Sequence, residues 1–287
     1  MTRPPAPRRR PAKLPWRDRA GRLAPFKLAV FLALFAPGIV LAGQFALGML
    51  GARPLNAVIH GTGLWTIRLL LIALAVTPAR AVFDWPGLPV VRRMLGVGAL
   101  AYGLTHLSLY VIDQNGHMLH VASEIIHRFY LTIGFTALVG LAALGITSTD
   151  ASVRRMGKNW KRLHWLAYPI GVLAVFHATL QSKIDVSEAM VMAGCFVWLM
   201  LWRLLPVERQ RSPLALLPLA ALASAATAGI EYTWYAVATR IPAERVLAAN
   251  LDFEDGLRPA VWVLIVAVCI AAVATARNHR RSVVRPA

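Results

Sequence analysis

The sequence is poor in cysteine, in charge, and above all in acid. Its two cysteines, Cys195 and Cys269, both fall inside apolar runs, which argues against a disulfide framework or a thiolate zinc site. Only 15% of its 287 residues are charged, where a soluble domain carries about a quarter. No Gly-x-Gly-x-x-Gly fingerprint follows a strand pattern and no Walker-type loop occurs, which argues against nucleotide chemistry on this chain. No short-period repeat marks a solenoid.

What the sequence does hold is hydrophobic length. Fifty-seven per cent of the residues are hydrophobic, and they are gathered into runs that reach or approach the roughly 20 residues needed to cross a bilayer. Eight candidate spans fall at 28–50, 63–79, 94–112, 129–146, 164–181, 189–205, 214–238 and 259–276. The runs are continuous rather than alternating, so helices and not a barrel satisfy the backbone in lipid. The expected fold is an all-α, polytopic membrane helical bundle.

The charges are segregated between loops. Against 13 Asp and Glu stand 31 Lys and Arg, a formal net charge of +18. The positive residues collect in the N-terminal arm (Arg8, Arg9, Arg10, Lys13, Arg17, Arg19, Arg22, Lys27) and in alternate loops (Arg80, Arg92, Arg93; Arg154, Arg155, Lys158, Lys161, Arg162; Arg203, Arg209, Arg211). They return in the C-terminal tail at Arg277, Arg280, Arg281 and Arg285. Intervening loops carry Asp113, Glu124, Asp185, Glu188, Asp252, Glu254 and Asp255. The positive-inside rule places both termini in the cytoplasm, consistent with an even number of spans. This accounts for the basic excess without nucleic acid. The first apolar run lacks an evident cleavage site and is read as retained, behind a basic, Pro-rich, disordered arm at 1–27.

Ionisable residues inside a span are costly and mark function by default. Three histidines lie in or at the ends of spans: His106, His164 and His177. His60, His117, His120 and His127 lie in loops on the other side, and His279 in the tail. His106 follows Arg93 by 13 residues and His177 follows Arg162 by 15. At about 1.5 Å per residue both imidazoles sit roughly 20 Å from the inner edge. Two imidazoles facing each other at one depth can hold a haem iron from both sides. His164 precedes His177 by 13 residues and is an alternative ligand. About 140° then separates the two on an ideal helix, so sharing a face requires a distortion, for which Pro169 is placed. His120 is cut off from His106 by Asp113-Gln114-Asn115-Gly116, a helix stop. One haem is the expected count.

Two other charges fall within spans. Arg68 could meet a haem propionate, or snorkel. Glu231, with Tyr232, Trp234 and Tyr235, reads as part of an interfacial belt.

Several fragments, in order, carry a family resemblance from about Gly61 to Lys183. They are Gly63-Leu64-Trp65, Thr77-Pro78, Arg92-Arg93-Met94-Leu95-Gly96, Leu104-Thr105-His106-Leu107-Ser108-Leu109-Tyr110, Tyr130-Leu131-Thr132-Ile133-Gly134 and Thr147-Ser148-Thr149-Asp150-Ala151. The most specific is the run from Arg154 to His164, closed by Tyr168 and His177. The chain resembles the MsrQ (YedZ) family of the ferric reductase-like transmembrane group. Members are haem-binding membrane subunits of the periplasmic methionine sulfoxide reductase system. The resemblance implies haem b associated with His106, His164 and His177. It also implies electrons from membrane quinol or a cytoplasmic flavin reductase, bound FMN, and a periplasmic molybdopterin enzyme, MsrP, as acceptor. The implied location is a bacterial inner membrane. Arg128-Phe129-Tyr130 stands where many members have Arg-Pro-Tyr. The last two spans exceed a six-span family core, which divides the chain into an arm at 1–27, a haem-binding core at 28–205 and an addition at 206–287.

Three functions compete on these residues. The leading one is an electron-transfer subunit, not catalytic on its own, in which the cofactor carries the electron and the protein supplies ligands and burial. A stand-alone ferric or oxygen reductase would need flavin and nucleotide domains that the sequence lacks. A haem-free transporter or scaffold would use the histidines structurally, with Pro37-Gly38 and Pro169 as its hints of broken helices.

Overall fold

The computed structural model describes residues 14–18, 20–182, 185–254 and 256–284, with 278–284 by backbone alone. The arm residues Arg8, Arg9, Arg10, Lys13 and Arg19, together with Asp255, Arg285 and the side chains of His279, Arg280 and Arg281, lie outside that description. So does residue 183, where the resemblance ends. Among the described residues every named element is helical, and eight helical stretches are long and apolar enough to cross a membrane.

The first span is two helices, α1 (Pro25–Ala33) and α2 (Ala36–Ala46). Pro37 cannot donate to a helix ladder, so the chain breaks ahead of it. The hydroxyl of Tyr102 fills that break: it donates to the Leu34 carbonyl and accepts from the Gly38 N–H, each at 2.8 Å. The second span, α3 (Pro54–Val82), opens with proline at its first position, where no hydrogen bond is lost. It begins nine residues ahead of the sequence reading. After a short 3-10 turn at 88–91 comes α4 (Arg92–Asp113). Asn115 and Gly116, both at positive φ, close it where the sequence pattern ended it.

A short amphipathic helix, α5 (Met118–His127), leads to α6 (Phe129–Ile146). On the basic face α7 (Asp150–Met156) is capped by Thr149, whose hydroxyl accepts from the Ser152 N–H at 3.1 Å. Gly157, at φ 51°, turns the chain into α8 (Lys158–His164). The fifth span then breaks at Trp165–Leu166 and resumes as α9 (Ala167–Gln181), with Pro169 in its first turn. The distortion that the sequence placed at Pro169 thus occurs just before it.

Helices α3, α4, α6 and α9 pack into the core that holds the histidines. Against α3 and α9 lies α10 (Ser187–Leu204). Beyond it come α11 (Pro213–Ala238), the short α12 (Ala243–Ala248) and α13 (Pro259–Val284). Alanines at 189, 220, 223, 271 and 274 are buried where α10, α11 and α13 meet. Small residues are what helix contacts in lipid need, since close approach replaces the absent hydrophobic drive. On α10, Arg203 donates to the carbonyls of Leu199 (2.5 Å) and Leu74 (2.6 Å), and its guanidinium lies 5.5 Å over the Tyr168 ring.

Glu231 does not sit in an exposed belt. It is fully buried, and one oxygen accepts from Arg258 at 2.5 Å. Tyr235 is also buried and packs with Val186 and Met190. Sequence could place Glu231 by depth on α11, but not the partner 27 residues away that draws it inward.

Candidate functional site: a pair of facing imidazoles

His106 stands seven residues before the end of α4, and His177 four before the end of α9. These spacings put them about 10 and 6 Å from the face opposite the basic loops. Arg92, at the start of α4, lies about 21 Å away on the other side. The two rings face each other across the core, with centroids 6.4 Å apart and planes at 83°.

Each ring is held by main chain. His106 Nδ1 lies 2.7 Å from the Ile59 carbonyl on α3, and His177 Nδ1 lies 2.8 Å from the Tyr130 carbonyl on α6. A carbonyl only accepts, so each Nδ1 carries the proton and each Nε2 keeps its lone pair. A second-shell bond of this kind fixes a metal-binding tautomer and ring orientation.

The same helices make room for the rings. Gly63 lies one turn beyond Ile59, and Gly134 one turn beyond Tyr130. A Cβ on Gly63 would come within 3.0 Å of His106 Nδ1; one on Gly134 would come within 2.6 Å of His177 Cε1. Each histidine is therefore received by the same device, a carbonyl followed four residues later by a glycine on one helix face.

The rings line a cavity of about 300 Å³. Its body is apolar, with Leu64, Ile67, Leu70, Leu138, Leu141 and Ile170. Its end toward the non-basic face is polar, with Asn56, His60, Tyr110, Asp113 and Gln181. Ile125 of α5 also lines it, whereas α10 to α13 contribute nothing.

Metal–imidazole bonds are about 2.0–2.1 Å, and a ring centre lies roughly 1.1 Å beyond its nitrogen. Two imidazoles on opposite sides of one ion therefore have centres about 6.3 Å apart. The observed 6.4 Å matches. No group of three or more His, Cys, Asp or Glu that could hold a metal occurs among the described residues. A two-imidazole donor set suits an ion whose other positions are filled by a macrocycle. The apolar body and polar end of the cavity suit a planar ring system with carboxylates on one edge.

The other sequence candidates lie elsewhere. His164 ends α8, stacked on Trp160 at 3.8 Å; its Nδ1 is 3.0 Å from the Trp160 carbonyl and its Nε2 is 3.4 Å from the Ser148 hydroxyl. It does not line the cavity. Arg68 pairs with Glu188 and lies 4.8 Å over the Trp65 ring. It does not line the cavity either. His120 is on α5, outside the lining. Sequence reasoning missed His60, Gly63, Gly134 and the two carbonyls, since their parts depend on contacts between helices.

Residues 62–175 match the family described as ferric reductase like transmembrane component. A protein of Xanthomonas campestris pv. campestris (strain 8004), named protein-methionine-sulfoxide reductase heme-binding subunit MsrQ, is 44% identical over 184 residues. The match covers 62% of this chain and 84% of that one. A Rhodospirillum rubrum protein of the same name is 40% identical over 197 residues, covering 68% of this chain and 92% of that one. No solved structure matches.

Proposed function

Because the chain belongs to the MsrQ family, we propose that it is the haem-binding membrane subunit of a methionine sulfoxide reductase system, with one haem b held between His106 and His177. The observation that carries this reading is the 6.4 Å separation of two rings whose Nδ1 atoms are both committed to carbonyls. Haem in that position supplies a one-electron carrier.

The protein's own groups do the rest. The two Nε2 atoms, left free by the Nδ1–carbonyl bonds, would be the iron ligands. The apolar walls exclude water and help set the potential. The polar end, with Asn56, His60, Tyr110, Asp113 and Gln181, would face the propionates. Arg68 is paired with Glu188 and does not line the cavity, so it is not assigned to a propionate.

Positive-inside orientation puts the basic loops in the cytoplasm and this site toward the periplasm of a bacterial inner membrane. Membrane quinol would be the electron donor and a periplasmic molybdopterin reductase, MsrP, the acceptor. That enzyme reduces methionine sulfoxide, a reversible oxidative lesion of proteins. Residues 28–205 form the electron-transfer core, since every residue lining the cavity comes from it. Residues 206–287 are an addition, whose helices α11 and α13 pack against α10.

The test is a reduced-minus-oxidised absorption spectrum of the purified protein beside His106→Ala, His177→Ala and His164→Ala. A low-spin b-type signal should disappear with either of the first two and survive the third. A colourless wild-type protein made with ample haem would overturn the proposal and favour a transporter or scaffold. Quinol-driven reduction of MsrP in membrane vesicles tests the donor separately.

A further inference from the structure

The first span barely joins the bundle. Among its helical side chains only Pro37 is buried. Beside the Tyr102 tie, α1 and α2 stand off from α4 and leave a lateral groove of about 1290 Å³. The groove follows α4 from Arg93 to Leu109, 16 residues or about 24 Å. Its walls are apolar along Phe31, Ile39, Leu55, Val97 and Ala101.

Its mouth, on the basic face, is charged. Arg17, Asp18, Lys27, Arg93 and Asp150 surround it. Both carboxylates are engaged, Asp18 by Arg22 at 3.2 Å and Asp150 by Arg93 at 2.6 Å. Lys27 donates to the Arg17 carbonyl at 2.9 Å. Arg17 and Lys27 therefore have no carboxylate partner among the described residues. Trp16, packed on Phe31 with ring centres 5.2 Å apart, sits at the same level, where an aromatic anchor meets lipid headgroups.

We propose that this groove is a binding site for one anionic phospholipid, with its phosphate between Arg17 and Lys27 and an acyl chain along α4. An apolar cavity of this size inside a bilayer fills with hydrocarbon, since apolar walls without contacts forfeit dispersion energy. The groove exceeds the roughly 15 Å of one leaflet's hydrocarbon, so a full chain fits. Cations at the mouth select a negative headgroup.

The deeper hydroxyls argue against a quinone ring there. Thr62 donates to the Val58 and Ile59 carbonyls, Tyr102 to Leu34 and Thr105 to Ala101, at 2.8–2.9 Å. With those protons spent, the wall offers no side-chain hydroxyl donor to a quinone carbonyl. The lipid instead acts as mortar between the first span and the wall that carries His106.

The test is native mass spectrometry of the delipidated full chain, titrated with palmitoyl-oleoyl phosphatidylglycerol or the matching phosphatidylcholine. Wild type should take up one phosphatidylglycerol in preference to phosphatidylcholine. Arg17→Gln and Lys27→Gln should each weaken phosphatidylglycerol about five-fold and together abolish the preference. Ala101→Trp, which fills the groove, should remove both lipids. Equal binding of the two lipids by wild type, or an unchanged preference in the double variant, would overturn the proposal. The readout counts lipid and not haem, so its failure is distinct from failure of the electron-transfer reading.

Discussion

The imidazole of His177 occupies the space that a side chain on Gly134 would fill: a Cβ there would come 2.6 Å from Cε1 and 2.7 Å from Nδ1. Real carbon contacts are not that short, so Gly134→Ala must push the ring or the helix. Overpacking of this kind costs about 1–3 kcal/mol. Haem content of purified Gly134→Ala should fall severalfold. Gly63→Ala, where the approach to His106 is 3.0 Å, should lose less. Equal retention of haem by both variants and wild type would show that the glycines do not seat the rings.

Tyr102 is the hydroxyl that bridges the break in the first span. Tyr102→Phe leaves the Leu34 carbonyl and the Gly38 N–H without that partner, at a cost of about 1–3 kcal/mol. The expected result is faster proteolysis in the segment before α1 and a lower melting temperature, with the haem spectrum unchanged. Protease sensitivity equal to wild type would place the anchor of this span elsewhere.

Glu231 and Arg258 form a buried pair in the C-terminal addition, with Glu231 Oε2 and Arg258 Nε lacking hydrogen-bond partners among the described residues. Removing one member strands the other charge, at about 3–5 kcal/mol. Glu231→Leu should therefore melt well below wild type, and Glu231→Leu with Arg258→Met should recover most of the loss. Haem spectra should stay constant throughout, because neither residue lines the cavity. A double variant no better than the single one would mean that the pair is not the unit.

Asp185 precedes α10, and hydrogen bonds from the Ser187 hydroxyl and backbone N–H hold its carboxyl below the usual carboxylate range. A depressed pKa contributes stability that is complete above the ordinary carboxylate pKa and lost as pH falls through the lowered value. The melting difference between wild type and Asp185→Asn should thus be largest near neutrality and shrink toward pH 3. The effect is small, because the group is largely exposed. A difference that grows on acidification would reverse the assignment.

Span number and the level of the histidines were legible because hydrophobic length and distance from a basic loop are properties of one helix at a time. The helix stop at Asn115 and Gly116 was legible for the same reason. The start of α3 was not: Asn56 and His60 read as loop, yet they lie on helix at the polar end of a cavity that exists only once α4 and α9 are in place. The two breaks were half legible. Pro37 and Pro169 announce them, but the hydroxyl that closes the first one comes from 64 residues away. The helices α5 and α12 are too short to carry a span signal, so they read as loops.

Both ring anchors are peptide carbonyls, and that changes what mutation can reach. A substitution at Ile59 or Tyr130 replaces a side chain and leaves the acceptor in place. The orientation of the imidazoles is therefore inherited from the course of the backbone rather than from any residue's identity. Two chains that share little sequence but the same helix course, with glycine one turn beyond each anchor, would hold their rings alike. Drift in the surrounding side chains can then retune the cavity without unseating the pair.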